Sequence, residues 1–388
     1  MSGIGDSALN WYSRRLAREL TQAGVHVSIV GPRPGQASSA EWNDDGIEVH
    51  STFVRRSAWA AWQAHARIVS LPNIVVHVQH ELFAFGGLSS ALMLPLMLTS
   101  LQRRGFKVIT TIHGVIPLSE ITGHFVKANR IPGNAVIART LWRGLVRRVA
   151  LASDIVHVQE EVLRDLLRLE YGLSQIPVRV VPLGIEPDLR TMDRAAARSA
   201  LGIALESEVA LFFGYLSAYK GIDYLLAELV QLLAERPNLH VVIAGGVPSR
   251  LTGSLHPQAT LDKLTVGRDR VHLCGFVPDV KVPMVFSAAD VLLLPYRVAM
   301  SSSGPLALAI GYDIPVLMSE AFECLFPQAP CFFRLRPGRL AHALGRFFDD
   351  PDMRTRSRDF INDIRSLRSW PIVASALSTL YNELSSSR

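Results

Sequence analysis

Short runs rich in β-branched residues recur along this chain, and the longer stretches between them carry apolar residues at helical spacing. That alternation constrains the fold more than any other feature, because it predicts parallel strands joined by crossover helices. A first series comprises Val25–Val30, Ile74–Gln79, Lys107–Thr111, Ile155–Val158 and Val178–Val181. A second comprises Val209–Phe213, Leu239–Ala244, Val271–Leu273, Val291–Leu294 and Pro315–Met318. Two such series in succession predict two doubly wound, Rossmann-like α/β domains. The prolines and glycine of Val181-Pro-Leu-Gly-Ile-Glu-Pro187 interrupt both helix and strand, so the linker belongs there. The expected division is a first domain over 1–184, a second over 185–368, and a closing amphipathic helix within 369–388. A length of 388 residues suits two domains of about 150–200 residues each.

The net charge of +6 becomes informative once it is divided. Residues 1–185 carry 19 Lys+Arg against 13 Asp+Glu, whereas residues 186–388 carry 21 of each. The excess in the first half suggests an anionic partner there, a phosphorylated acceptor or an anionic membrane surface, with no nucleic acid expected. A solvated excess of arginine accounts for the same numbers equally well. Arg139, Arg143 and Arg147 share one face of a helical stretch that also holds Leu141, Trp142, Leu145 and Val146, the pattern of peripheral attachment to anionic lipid or of a solvated face. The apolar run Leu88–Leu101 is shorter than the about twenty residues that a membrane span needs. Three cysteines without a C-x-x-C pair, and polar residues over 1–20, point to a reduced cytoplasmic protein without a structural metal.

One feature of the start departs from the pattern. Gly3-Ile-Gly5 leads directly into a helical pattern over Leu9–Ala23, whereas a glycine turn of this kind follows a buried strand in a doubly wound domain. Either about ten residues are missing ahead of it, or the domain manages without a central strand. The first is expected, since losing a central strand leaves ladder groups unpaired.

Chemistry is expected at the loops that follow strands. Ser301-Ser-Ser-Gly304 lies between the run ending at Pro295 and a helix that opens with Pro305. Its hydroxyls and helix N-terminal amides form an anion site, with an ordinary serine N-cap as the alternative. In Phe213-Gly-Tyr-Leu-Ser-Ala-Tyr-Lys-Gly221, Lys220 is placed to reach a diphosphate as a point charge. In the first domain, His113 of Thr111-Ile-His-Gly114 is the first candidate for substrate contact, followed by His80 and Glu81.

These pieces resemble the GT-B glycosyltransferases of family 4. The resemblance is carried by Gly3-Ile-Gly-Asp6, Gln79-His-Glu81, Thr111-Ile-His-Gly114, Val181-Pro-Leu-Gly184, Tyr219-Lys-Gly221, Ala244-Gly-Gly246, Gly275-Phe-Val-Pro278, Ala289–Pro295 and Ser303-Gly304. It implies two domains facing across a cleft and retaining, metal-independent transfer from a nucleoside diphosphate sugar to a glycan, lipid-linked or small-molecule acceptor, with no other cofactor. It places Gly5, Lys220, Arg297, Ser302, Ser303 and Gly304 on the donor diphosphate, and Gly246, Phe276 and Val277 beside the nucleobase. His113 faces the reacting centre, and Asp6, His80 and Glu81 lie on the acceptor side. The last helix, from Ser369-Trp370 to Leu380-Tyr381, is implied to pack back on the first domain.

Two departures from the family pattern stand out. Its paired glutamates fall at Met300 and Leu308, and its clamp arginine is replaced by Tyr215-Leu-Ser217, which leaves Arg297 as the substitute. A catalytically degenerate partner of another transferase is therefore the alternative reading. A dinucleotide oxidoreductase is discounted, because Gly3-x-Gly5 lacks a preceding strand and Val25–Val30 ends in Gly31-Pro32 rather than an acid.

Overall fold

A computed structural model of the chain describes residues 8–33, 40–44, 46–54, 57–72, 75–81, 88–128, 131, 133–187, 189–246 and 267–386. Two compact units emerge. One comprises Met1–Gly184, Met300–Ser302 and Trp370–Arg388, and the other Ile185–Ala299 and Ser303–Ser369.

The first unit holds strands β1 (Ser28–Pro32), β2 (Ala40–Asp44), β3 (Ile47–Phe53), β4 (Val75–His80), β5 (Lys107–Ile112), β6 (Ile155–Val158) and β7 (Val178–Val180). Its helices are α1 (Ala8–Gln22), α2 (Ala60–Ile68), α3 (Leu88–Arg103), α4 (Gly123–Ala128), α5 (Ala135–Leu151) and α6 (Glu161–Leu169). The strands form two separate sheets, β1-β3-β2 and β4-β5-β6-β7. All pairings are parallel except β2 with β3. That antiparallel pair is absent from the strands read from the sequence. Its register sets Asp44 opposite Ile47, and Gly46 just before β3 takes φ +83°.

The second unit holds α7 (Arg194–Ala200), β8 (Glu208–Phe213), α8 (Ile222–Glu235), β9 (Leu239–Ala244), β10 (Val271–Gly275), α9 (Val282–Ala288), β11 (Val291–Leu294), α10 (Gly304–Gly311), β12 (Val316–Ser319), β13 (Phe332–Phe333), α11 (Arg339–Asp349) and α12 (Pro351–Leu367). Its six-stranded sheet has the order β10-β9-β8-β11-β12-β13, and every pairing is parallel. This is the doubly wound order whose direction reverses between β8 and β11, where ligands of such sheets bind beyond the carboxyl ends of the strands. Helices cover both faces, so the central strands are near-continuous apolar runs, and Val209–Phe212, Val241–Ala244 and Val291–Leu294 are fully buried. One face packs on α9, α10 and α12 through Phe286, Ile310 and Ile361, the other on α8 and α11 through Leu229 and Leu344.

The closing helix α13 (Trp370–Ser386) belongs to the first unit, where it packs on α1 and β4. Trp370 is fully buried, with the Trp11 and Tyr12 rings at 5.9 and 5.4 Å. A Cβ on Gly184 would collide with the Trp370 ring, so a glycine is required where the chain leaves the unit. Truncating such an anchor costs about 3–5 kcal/mol. Among the described residues no helix is long and apolar enough to cross a membrane.

Candidate functional site

In the second unit, two loops flank the reversal of strand order. The first follows β8. Gly214 takes φ +115° as the chain leaves the strand, and Leu216 N–H bonds to Gly246 O at 3.0 Å, drawing the ends of β8 and β9 together. A short turn over Ala218–Lys220 then leads into α8 through Gly221 at φ +70°, where a Cβ would strike the carbonyl of Pro295. Arg297 N–H donates to Tyr219 O at 2.7 Å, which fixes this loop to the end of β11.

These contacts hold Lys220 in place. The side chain is only 7% exposed, and its ammonium lies 5.4 Å from the centre of the Tyr296 ring. No carboxylate pairs with it among the described residues. Burial accordingly lowers its pKa from the ordinary lysine value, with Tyr219 a smaller opposing influence. An ideal Cβ built on Gly214 would meet Lys220 Nζ at 2.6 Å and Pro305 Cγ at 3.3 Å. The glycine therefore makes room for the ammonium beside the start of α10. A buried, unpaired cation at that position calls for an anion.

The second loop follows β11. Ser303 is the N-cap of α10, with its Oγ accepting from Leu306 N–H at 3.4 Å and sharing a 3.3 Å hydrogen bond with Tyr296 Oη. The N-cap alternative is thus what the hydroxyl itself does. Its φ of 61° is unusual for a serine and carries a strain of about 1–3 kcal/mol, the kind of outlier that gathers at binding sites. Gly304 is exposed, so the first amide of the helix and its dipole stay open to a ligand. Lys220 lies against the ring of Tyr296 and Ser303 bonds to its hydroxyl, so the two loops meet at one side chain. Ser302, which is counted with the first unit, has a buried Oγ with no partner among the described residues.

Other expected positions are more varied. Arg297 is half exposed and ion-paired to Asp223 at 2.6 Å, so its charge is already neutralised. Phe276 is 58% exposed just beyond β10, and a Cβ on Gly246 would lie 3.5 Å from that of Phe276; Val277 is partly buried against the core. Leu308 also packs against the core. Gly5 and Asp6 lie outside the described residues.

In the first unit, the strand ends carry histidines in a buried polar layer. His113 Nε2 bonds to Gln79 Oε1 at 2.8 Å, Gln159 Nε2 approaches Nδ1 at 3.4 Å, and the Tyr12 ring lies edge-on at 4.7 Å. Gln79 Oε1 can only accept, so Nε2 carries the proton and Nδ1 accepts. Burial, with the nearby His157 and His80, pushes the His113 pKa down to about 3, so the ring is neutral at any working pH. Below it runs a chain whose directions are fixed from one end. His157 Nε2–H donates to Val181 O at 2.9 Å, so its Nδ1 accepts from Thr111 Oγ1 at 2.7 Å. Thr111 in turn accepts from His77 Nε2–H at 2.6 Å, and His77 Nδ1 accepts from Tyr381 Oη at 2.7 Å. His80, at the end of β4, has a buried Nδ1 without a partner among the described residues, and burial lowers its pKa to about 4. Glu81 is exposed. Gln79, Gln159, Tyr296 and Asp223 are the site residues that sequence reasoning misses.

A cavity of about 320 Å³ in the second unit is lined by Arg194, Arg198, Arg354, Arg358, Glu208 and Asp290 among others. It lies at the opposite strand ends from Lys220. Arg198 is fully engaged by Asp290 and the carbonyls of Ala288, Leu205 and Ser207, and Arg354 Nη1 bonds to Phe347 O and Phe348 O. Among the described residues no three metal-ligating side chains cluster.

A family profile described as "Glycosyltransferase Family 4" matches residues 9–189, and one described as "Glycosyl transferases group 1" matches residues 207–343. The chain is 30% identical over 251 residues to the D-inositol 3-phosphate glycosyltransferase of Corynebacterium glutamicum (strain R), covering 59% of this chain and 56% of that protein. It spans 55–57% of the length of the Corynebacterium relatives it matches first. Among solved structures, sucrose-phosphate synthase from Thermosynechococcus elongatus superposes with a TM-score of 0.73 at 18% identity, covering 98% of this chain and 94% of that one. Anabaena HepE in complex with UDP-glucose gives 0.69 at 14% identity, covering 98% and 97%. At these identities the structural likeness is one of fold.

Proposed function

Because the chain belongs to glycosyltransferase family 4, we propose that it moves a sugar from a nucleoside diphosphate sugar to a glycan, lipid-linked or small-molecule acceptor, with retention of anomeric configuration and without a metal. The observation that carries the reading is Lys220, a buried ammonium with no carboxylate partner among the described residues, set beside the N-terminus of α10 at the switch point of the sheet. The donor diphosphate docks there. The bond from the anomeric carbon to the phosphate oxygen breaks while the acceptor oxygen bonds to that carbon from the same face, and the acceptor proton passes to the departing phosphate oxygen. Lys220 and the opening amide of α10 stabilise the charge that develops on the leaving group, the main catalytic contribution in this arrangement. His113, neutral and held at both ring nitrogens, acts as a fixed polar wall and transfers no proton. Phe276 and Gly246 border the nucleobase.

Calorimetry with a panel of nucleoside diphosphates, followed by donor hydrolysis in the presence of EDTA, tests the reading. Micromolar binding of one nucleotide and turnover that survives EDTA are expected; the absence of any nucleotide binding refutes it. The neutralised Arg297 and the apolar residues Met300 and Leu308 favour a second reading, a degenerate partner that binds the nucleotide without turnover with any acceptor.

In this reading the acceptor-side unit binds an anionic membrane surface through α5. Val136, Ile137 and Leu141 are exposed along α5, as is Arg143. Arg139 and Arg147 bond to the carbonyls of Ile121 and of Tyr171 and Gly172, so they brace the fold as well. Flotation with anionic liposomes that is lost in Leu141→Asp/Arg143→Glu supports this placement, and flotation unchanged by the pair removes it.

A further inference from the structure

The cavity of about 320 Å³ in the second unit opens where β8, β11 and β12 begin, at the end of the sheet away from Lys220. Glu208 is the first residue of β8, Asp290 immediately precedes β11, and Pro315 immediately precedes β12. Two helices bring arginines to the lining, α7 with Arg194 and Arg198 and α12 with Arg354 and Arg358. Phe347 and Phe348, at the end of α11, add apolar surface. Lys220, Ser303 and Gly304 are not among the lining residues.

The lining holds more guanidinium charge than its carboxylates neutralise. Asp290 is shared by Arg194 and by the buried Arg198, the latter at 2.8 Å. Glu208 is clasped at both oxygens by Arg236 at 2.6 Å, and Arg236 also takes both oxygens of Asp349 at 2.9 Å. Asp349 lies in the field of Arg354, yet its hydrogen bonds are committed to Arg236. Glu206 is exposed, where water and salt screen its charge.

Arg354 and Arg358 are what remains. They stand four positions apart, on one face of α12. Arg354 donates only from Nη1, to the carbonyls of Phe347 and Phe348, which leaves Nε and Nη2 without partners among the described residues. Arg358 is exposed and forms no ion pair or hydrogen bond among the described residues. Like charges at this spacing repel. A doubly charged oxyanion between them relieves the repulsion and matches the planar donor forks.

We propose that this cavity binds a phosphate dianion, free or carried on a small ester, with Arg354 and Arg358 as its principal donors. Ligand pockets run from about 300 to 1,000 Å³, so this one lies at the small end and suits a sugar phosphate better than a nucleoside diphosphate sugar. Leu205, Pro315, Phe347 and Phe348 supply the apolar lining that the C–H face of a sugar ring packs against. The site is separate from the donor loops, so it stands independently of the transfer reaction proposed above.

Calorimetry on the full chain tests this with a hexose 6-phosphate, inorganic phosphate and the unphosphorylated hexose, each titrated at neutral pH with and without a saturating nucleoside diphosphate. Expected are binding of the phosphate probes that persists in the presence of the nucleotide and no binding of the hexose. Arg358→Gln is expected to weaken phosphate binding at least about tenfold. Because Arg358 is exposed, that variant should keep the wild-type Tm within about 1–2 °C and its nucleotide affinity unchanged. Phosphate affinity should also fall below about pH 6, where the dianion takes up a proton. Tighter binding of the ester marks an organic phosphate as the occupant, and equal or tighter binding of the inorganic ion marks free phosphate; either supports the site. Displacement of the probe by the nucleotide, hexose binding as tight as that of its phosphate, affinity unchanged in Arg358→Gln, or no binding of either phosphate at about 10 mM overturns the proposal.

Discussion

Lys220→Met removes the ammonium while keeping most of the apolar stem that lies against Tyr296. A unit charge about 4 Å from a phosphate oxygen, at an effective dielectric constant near 20, contributes about 4 kcal/mol, or roughly a thousandfold in affinity. The wild-type chain at a nucleoside diphosphate concentration of about 100 Kd gains about 2.7 kcal/mol, a Tm rise of roughly 5–10 °C for a unit of this size. At the same concentration the variant sits at about a tenth of its own Kd, and its rise falls below about 1 °C. The free variant is expected to melt at or above the wild-type temperature, because burial disfavours the charged lysine that it lacks. The sign is that of a lysine whose folded pKa is depressed. The unfolded chain binds more protons between the two pKa values, so the free wild type gains stability as pH rises through that window, and the variant lacks this gain. Differential scanning fluorimetry with and without nucleotide reads both arms. A variant that melts lower than wild type yet keeps its nucleotide shift would show Lys220 to be structural, and the reasoning would fail.

Gly221→Ala sets a Cβ against Pro295 O at a left-handed φ and is expected to destabilise the second unit by at least about 2 kcal/mol in urea unfolding, whereas Gly304→Ala, with open space around its Cβ, stays within about 1 kcal/mol. Asp223→Asn frees the Arg297 guanidinium and is expected to tighten nucleoside diphosphate binding about three- to tenfold by calorimetry, with little change in stability, since exposed ion pairs contribute at most about 1 kcal/mol. His157, with its pKa pushed down to about 4 by burial, stabilises the first unit only while neutral. The unfolded chain takes up the proton first, so that stability is complete above about pH 6.5 and roughly 3 kcal/mol of it is lost by pH 4. Urea midpoints across that range should show a flatter slope in His157→Gln.

Much of the fold was legible because two doubly covered parallel sheets write their strands as apolar runs, such as Val209–Phe213 and Val291–Leu294. Where a strand is not an apolar run, the reading failed. β2 is largely polar, and β3 alternates as Ile-Glu-Val-His-Ser-Thr-Phe, with only the Asp45-Gly46 pair announcing a hairpin. β13 is two residues long, too short for any periodicity. At the candidate site, Lys220 and Ser303 stood out because glycines and small hydroxyls mark strand-to-helix turns. Their partners did not, since nothing local ties Tyr296 to Lys220 or Asp223 to Arg297 across 74 positions. The Gln79–His113–Gln159 clamp is likewise assembled by three neighbouring parallel strands, 34 and 46 positions apart in sequence.

The most direct test of the donor site is a crystal structure of the chain with the nucleoside diphosphate it binds best. A diphosphate oxygen within about 3 Å of Lys220 Nζ and of the Gly304 amide is the predicted result. A nucleotide seated instead in the arginine-lined cavity around Arg194 and Asp290, with Lys220 left untouched, would contradict it.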